Sequence, residues 1–384
     1  PHILDLPTNV LLRILKFLLA LGPITLLGAV PGVCKRMRAL CAGVDGEFDL
    51  RGEWGRLDRR SAYAVGEWAG LKGALASAAR LFPQTKGLWT FSKFALHDAC
   101  RAGLLAAAGR LVEEDGGRVD ATLRRGGWTP LFIACREGHL AIARLLVEKG
   151  AYVDKVDTSG WTPLYVACWH GHVEVAWLLV ETGADLDKAD DDGWTALFMA
   201  CQEGHFEVVR LLAEKGVDLD RADNLFRTPL YVACWHGHLA IAQVLAEKGA
   251  DLDKATNDGV NPLFMACVHG HLAIAQVLAE KGADLDRADN LFRTPLYVAC
   301  LKGHLEVVRL LAEKGADLDK AMKYEGTPLH IACLKGHLEV VRLLAEKGAD
   351  LDKANSFGAT PLFFAQDQGH AEIVAFLKEA GAAE

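Results

Sequence analysis

The sequence predicts an all-α solenoid, a stack of about nine helix pairs behind a small helical head. Three observations predict it. A block recurs every 33 residues, marked by Thr129, Thr162, Thr195, Thr228, Thr294, Thr327 and Thr360, with Asn261 in the one gap. Each block holds two short apolar runs at helical spacing, separated by Gly-His. Some copies are almost unaltered: Lys302–Ala321 and Lys335–Ala354 are the same twenty residues, and Asn224–Cys234 repeats as Asn290–Cys300. A fixed period of this length marks units that cannot bury a core alone and complete it by stacking.

The head comes first, over residues 1–45. Leu6-Pro7 precedes Val10, Leu11, Ile14, Leu15 and Leu18, which share one face of an amphipathic helix. A second apolar set follows at Leu27, Val30, Val33, Met37 and Leu40, with Cys34, Lys35, Arg36 and Arg38 among it. This combination resembles an F-box, a small helical module that docks on the Skp-type adaptor of cullin ubiquitin ligases. The resemblance implies that Leu6, Pro7, Val10, Leu11, Ile14, Leu15, Val33, Cys34 and Arg36 face the adaptor or shape the docking surface. A helical hairpin that shields the first repeat is the alternative. Residues 46–92 form a helical linker or cap, in which Val65, Trp68, Leu71, Leu75, Ala79 and Phe82 line one face ahead of Pro83.

The array occupies residues 93–384, and its residue types have mechanical roles. Thr162 caps a first helix and Pro163 suits its first turn, where an amide donor has no helical partner. Leu164, Ala167 and Cys168 share a face; Gly171 ends the helix and His172 opens the next, whose stripe is Val175, Leu178 and Leu179. Gly183 stops that helix. Asp185-Leu186-Asp187 leads into a projecting turn. The unit Thr-Pro-Leu, Gly-His, Gly-Ala-Asp resembles the ankyrin repeat, in eight copies over residues 128–380. A degenerate ninth precedes them at Ala95–Gly103, and Gln366, Lys378 and Glu379 suit a polar terminal cap.

Composition excludes several functions. Residues 1–93 hold 13 Lys and Arg against 7 Asp and Glu, net +6, which leaves 29 basic and 43 acidic residues and a net of −14 for 94–384. An acidic array repels phosphate backbones, so no nucleic-acid partner is expected. Phe17–Cys34 is uncharged over 18 residues, but Gly22, Pro23, Gly28, Pro31 and Gly32 break it, so no membrane span is expected either. The chain opens at Pro1 rather than Met, which leaves room for sequence upstream. Seven cysteines, Cys135 to Cys333, follow the 33-residue period. Stacked helices sit roughly 8–10 Å apart, beyond the ~7 Å Cα limit of a disulfide, so all ten thiols are expected free in a reducing compartment, cytoplasmic or nuclear.

The sequence contains no phosphate loop, zincin helix or nucleophile elbow. The acidic run Asp185–Asp192 fails as a calcium loop, because Lys188 and Met199 would fall at ligand positions. Eight of the fourteen histidines belong to the repeat, and no metal, cofactor or catalytic residue is expected. The residues before each Gly-His and at the turn tips vary while the folding positions barely do. By the ankyrin resemblance these variable positions line a binding groove, with candidate contacts Trp128, Trp161, Trp169, His170, Trp194, Phe226, Arg227, Trp235, His236, His269, Phe292 and Arg293. Trp and Arg favour interface hot spots. Packing between neighbouring tips is the competing reading for Trp128, Trp161 and Trp194. The sequence therefore reads as a monomeric, non-enzymatic adaptor, with the head on a Skp-type adaptor of a ubiquitin ligase and the array on a substrate protein. A scaffold or effector without a ligase link is the alternative.

Overall fold

The structure, a computed structural model, describes residues 95–114, 118–123, 126–322 and 326–383. The F-box-like head, the linker helix, Cys34 and Cys41 lie outside the described residues. The chain divides into two units, residues 1–157 and 158–384. In the first unit, α1 (Ala95–Arg101) and α2 (Leu105–Glu114) form one helix pair, and α3 (Pro130–Arg136) and α4 (Leu140–Glu148) form the next. The second unit holds seven pairs. They are α5 (Pro163–Trp169) and α6 (Val173–Glu181), α7 (Ala196–Glu203) and α8 (Phe206–Glu214), α9 (Pro229–His236) and α10 (Leu239–Glu247), and α11 (Pro262–His269) and α12 (Leu272–Glu280). Then come α13 (Pro295–Lys302) and α14 (Leu305–Glu313), α15 (Pro328–Lys335) and α16 (Leu338–Glu346), and α17 (Pro361–Asp367) and α18 (Ala371–Glu379). The degenerate copy expected at Ala95 is therefore a true helix pair.

First helices pack on first helices along the second unit, and second helices pack on second helices. The short first helices start where the caps dictate. Thr162 Oγ1 accepts the Tyr165 amide at 3.0 Å, and Thr129, Thr195, Thr228, Thr294 and Thr360 do the same three residues on. Asn261 substitutes without loss, because its Oδ1 takes the Phe264 amide at 2.9 Å. Each cap stabilises its helix by about 1 kcal/mol. Leu164, Ala167 and Cys168 are almost wholly buried, as are their equivalents except Gln366 in the last repeat. The cysteines are small core residues, and all eight described ones are free.

Gly-His is a joint between repeats. In the second unit the glycines from Gly171 to Gly336 end first helices with φ between 71° and 81°. The following repeat's histidine lies against each: a Cβ on Gly171 would stand 2.6 Å from His205 Nδ1. The same imidazole bridges the junction, as His205 Nε2 to the Trp169 carbonyl at 2.9 Å and His238 Nε2 to the Gln202 carbonyl at 3.1 Å. These histidines make no cap bond to their own helices.

The acidic turns are also structural. Asp187 Oδ1 accepts the Asp218 amide of the next repeat at 2.9 Å, and Asp220, Asp253, Asp286 and Asp319 receive the amides of Asp251, Asp284, Asp317 and Asp350. Asp-Leu-Asp is thus a ladder of carboxylates accepting backbone donors, which accounts for much of the array's negative charge. No described helix is long and apolar enough to cross a membrane.

Candidate protein-binding surface

The turn tips and the C-terminal ends of the first helices carry the variable residues, and the two regions behave differently. At the tips, tryptophan is a staple. Trp161 stacks on Tyr165 of the helix it precedes, with centroids 5.5 Å apart, while its Nε1 donates to Asp190 Oδ2 in the next tip at 3.1 Å. Trp194 repeats this with Phe198 and Asp223, and Trp128 with Phe132 and Asp157. The three tip tryptophans sit half-buried in these contacts.

Arg227 and Arg293 take over where tryptophan is missing. Arg227 Nε and Nη2 grip the buried Asp223 carboxylate at 2.7 and 2.6 Å, and Asp223 Oδ1 also accepts the Arg227 and Leu225 amides. Arg293 holds Asp289 in the same way. Both guanidinium groups are paired with a carboxylate of their own tip and stay partly exposed. Phe226 and Phe292 project from the same tips, about half exposed, at φ 62° and 65°. Gly160, Gly193, Gly259 and Gly358 occupy that left-handed position in other repeats.

The first-helix ends present a second row. Trp169 meets Trp161 edge-on at 5.0 Å and Tyr165 at 6.2 Å, and stacks on His170 at 5.5 Å. It is half-buried, so the surface it offers is one edge of an aromatic ladder. In the first unit Arg136, at the equivalent position, lies over the Trp128 ring at 4.7 Å. Trp235 is more open, at 40% exposure. Its ring lies between His236 at 6.3 Å and His269 at 6.0 Å, both near-parallel. His236, His269 and His170 are exposed. Burial, then His238 for His236 and His271, His236, Lys302 and His304 for His269, holds both imidazoles below the usual range, with Glu203 opposing at His236.

The sequence left the tip tryptophans between partner contact and packing on neighbouring tips, and it gave no sign of two buried histidines. The tip staple was visible as Trp and Asp 29 residues apart, at Trp128/Asp157, Trp161/Asp190 and Trp194/Asp223. Two histidines outside the Gly-His set, His97 and His330, are buried. His330 Nδ1 accepts the Thr327 amide at 3.0 Å and Nε2 meets the Ala359 carbonyl at 3.1 Å. Among the described residues no three His, Cys, Asp or Glu side chains are grouped to hold a metal. Burial pushes the Cys100 and Cys333 thiols up to about 12, which leaves them unsuited to act as nucleophiles.

Regular helix pairs joined by histidine bridges, with variable residues at the tips and first-helix ends, define an all-α repeat scaffold. Residues 96–190, 182–256, 250–322 and 318–383 match the family described as ankyrin repeats. The chain belongs to the ankyrin-repeat family. The crystal structure of the human ASB11 ankyrin repeat domain is similar with a TM-score of 0.52 and 28% identity, covering 58% of this chain and 100% of that one. Glycerophosphocholine phosphodiesterase GDE1 of Eremothecium gossypii is 40% identical over 65 residues, 17% of this chain and 5% of that protein. The chain thus covers a small part of that protein's length.

Proposed function

We propose that the chain is a protein-binding adaptor and not an enzyme, holding a target protein on its first-helix ends. The single observation carrying this reading is Trp235. It is a large aromatic side chain at a position that the fold leaves free, since Gln202, Val268 and Leu301 serve there in other repeats. It stays exposed between two histidines rather than packing into the array. The finer reading is a substrate receptor of a cullin-type ubiquitin ligase. Leu6, Pro7, Val10, Leu11, Ile14, Leu15, Val33, Cys34 and Arg36 would then dock the head on a Skp-type adaptor. Its support is the motif in the sequence. The chain would position a substrate and perform no chemistry.

Co-purification tests both layers. The full chain, tagged and expressed in its native cells, is expected to bring down a Skp-type adaptor together with a target protein. Changing Ile14 and Leu15 to Asp should abolish adaptor capture and spare the target. Loss of the target alone in array variants would agree. Recovery of targets but no adaptor from wild-type protein would leave an ankyrin scaffold without a ligase link.

A further inference from the structure

We infer that the first-helix ends of four consecutive repeats form a docking strip for an acidic amphipathic segment of the partner protein, one in which carboxylates alternate with apolar side chains. The inference rests on the protein-binding reading above and names the chemistry of the ligand.

Two parallel rows carry it. Trp235, Val268, Leu301 and Leu334 form an apolar row, partly open to solvent. Their carbonyls are fixed by the following histidines: His271, His304, His337 and His370 Nε2 reach them at 3.2 to 3.3 Å. Beside it, one residue on in each repeat, run His236, His269, Lys302 and Lys335, all exposed. Glu203 precedes this row and Gln368 follows it, so the basic stretch has defined ends.

The charges are open. Lys215, Lys314 and Lys347, at the ends of second helices, pair with Glu181, Glu280 and Glu313 of the preceding repeat. Lys302 and Lys335 form no ion pair with any described residue. His269 faces His271, His236, Lys302 and His304, with no carboxylate among them, and His236 faces His238 and Glu203. Two lysines without an ion pair to any described residue, in an array of net −14, select negative ligands locally while the array repels them elsewhere, and His236 and His269 add exposed imidazole donors beside them. The array's net negative charge disfavours a continuous phosphate backbone, which favours a peptide over nucleic acid. At roughly 10 Å per repeat the strip spans about 30 Å, the reach of some nine extended residues.

Selection of a random peptide display library on the full chain tests this. Peptides enriched in Asp and Glu alternating with apolar residues are expected. The charge reversal K302E/K335E, at two exposed positions, should keep the melting curve and weaken those peptides at least tenfold. Binders without acidic bias, or acidic binders indifferent to K302E/K335E, would overturn the strip and leave protein binding intact. A labelled twenty-residue oligothymidylate that binds more tightly than the best peptide and loses affinity in K302E/K335E would overturn it in favour of nucleic acid. An absence of any enriched peptide would overturn both the strip and the reading beneath it.

Discussion

Replacing Gly237 with Ala tests the joint between repeats, and its cost can be worked out from two local terms. Gly237 sits at φ 81°, where a Cβ costs about 1–2 kcal/mol from backbone strain. That Cβ would also stand 2.7 Å from His271 Cε1 and 3.0 Å from Nε2. The ring must then swing away and release the Trp235 carbonyl it holds at 3.3 Å, a further loss of about 1 kcal/mol. The total is about 2–3 kcal/mol. Gly249 is the control, because it has φ 93° and nothing within 4 Å of the added carbon, so Gly249→Ala carries only the strain. Urea titration gives the overall loss, and amide exchange over α9 to α12 localises it, since repeat arrays open in parts. Adding His271→Ala to Gly237→Ala should recover the steric share. If the two glycine variants cost the same, the histidine joint does not carry the contact described.

Three further outcomes follow from the same geometry. Trp161→Phe keeps the stacking on Tyr165 but removes the donor to Asp190, so it should lower stability by about 1 kcal/mol, measured by urea titration against the wild type. The eight described thiols should resist a thiol reagent in the native protein and react fully after denaturation without reductant; fast native labelling of any of them would contradict their burial. Burial holds His330 below the usual imidazole range, partly offset by its bond to the Ala359 carbonyl. The unfolded chain therefore binds a proton first, so His330's contribution is complete above about pH 6.5 and is lost as the pH falls below it. The opening free energy of α15, taken from amide exchange corrected for the intrinsic rate at each pH, should fall between pH 7 and pH 5.5, and His330→Gln should flatten that dependence.

The array was legible because its determinants are local and repeated. The Thr caps and the turn glycines act within a few residues, so a single sequence shows them eight times over. Contacts that cross from one repeat to the next were harder to read. The Gly-His pair was recognised as a fold feature, but the imidazole's reach back to a carbonyl 36 residues earlier has no local signature. The tip residues show the same limit. Trp161 and Arg227 look alike as interface residues, and only their carboxylate partners reveal them as staples. Trp235 remains open, because its contact in the next repeat is the exposed His269 and not a buried carboxylate. For Leu6 to Arg36 the motif in the sequence is the whole of the argument.

Trp235→Gln tests the central claim most directly. The full-length variant is titrated calorimetrically with the target recovered by co-purification, beside a thermal melt. Truncating a hot-spot aromatic typically costs about 2 kcal/mol or more, roughly thirtyfold in affinity. Trp235 touches mainly Tyr231, His236 and His269 and is 40% exposed, so the melting temperature should stay nearly unchanged. Trp169→Gln is the less clean comparison, because its ring also supports Trp161 and Tyr165. A thirtyfold loss of affinity at constant melting temperature is the predicted result. Unchanged affinity, or a fall in stability that matches the fall in binding, would contradict it.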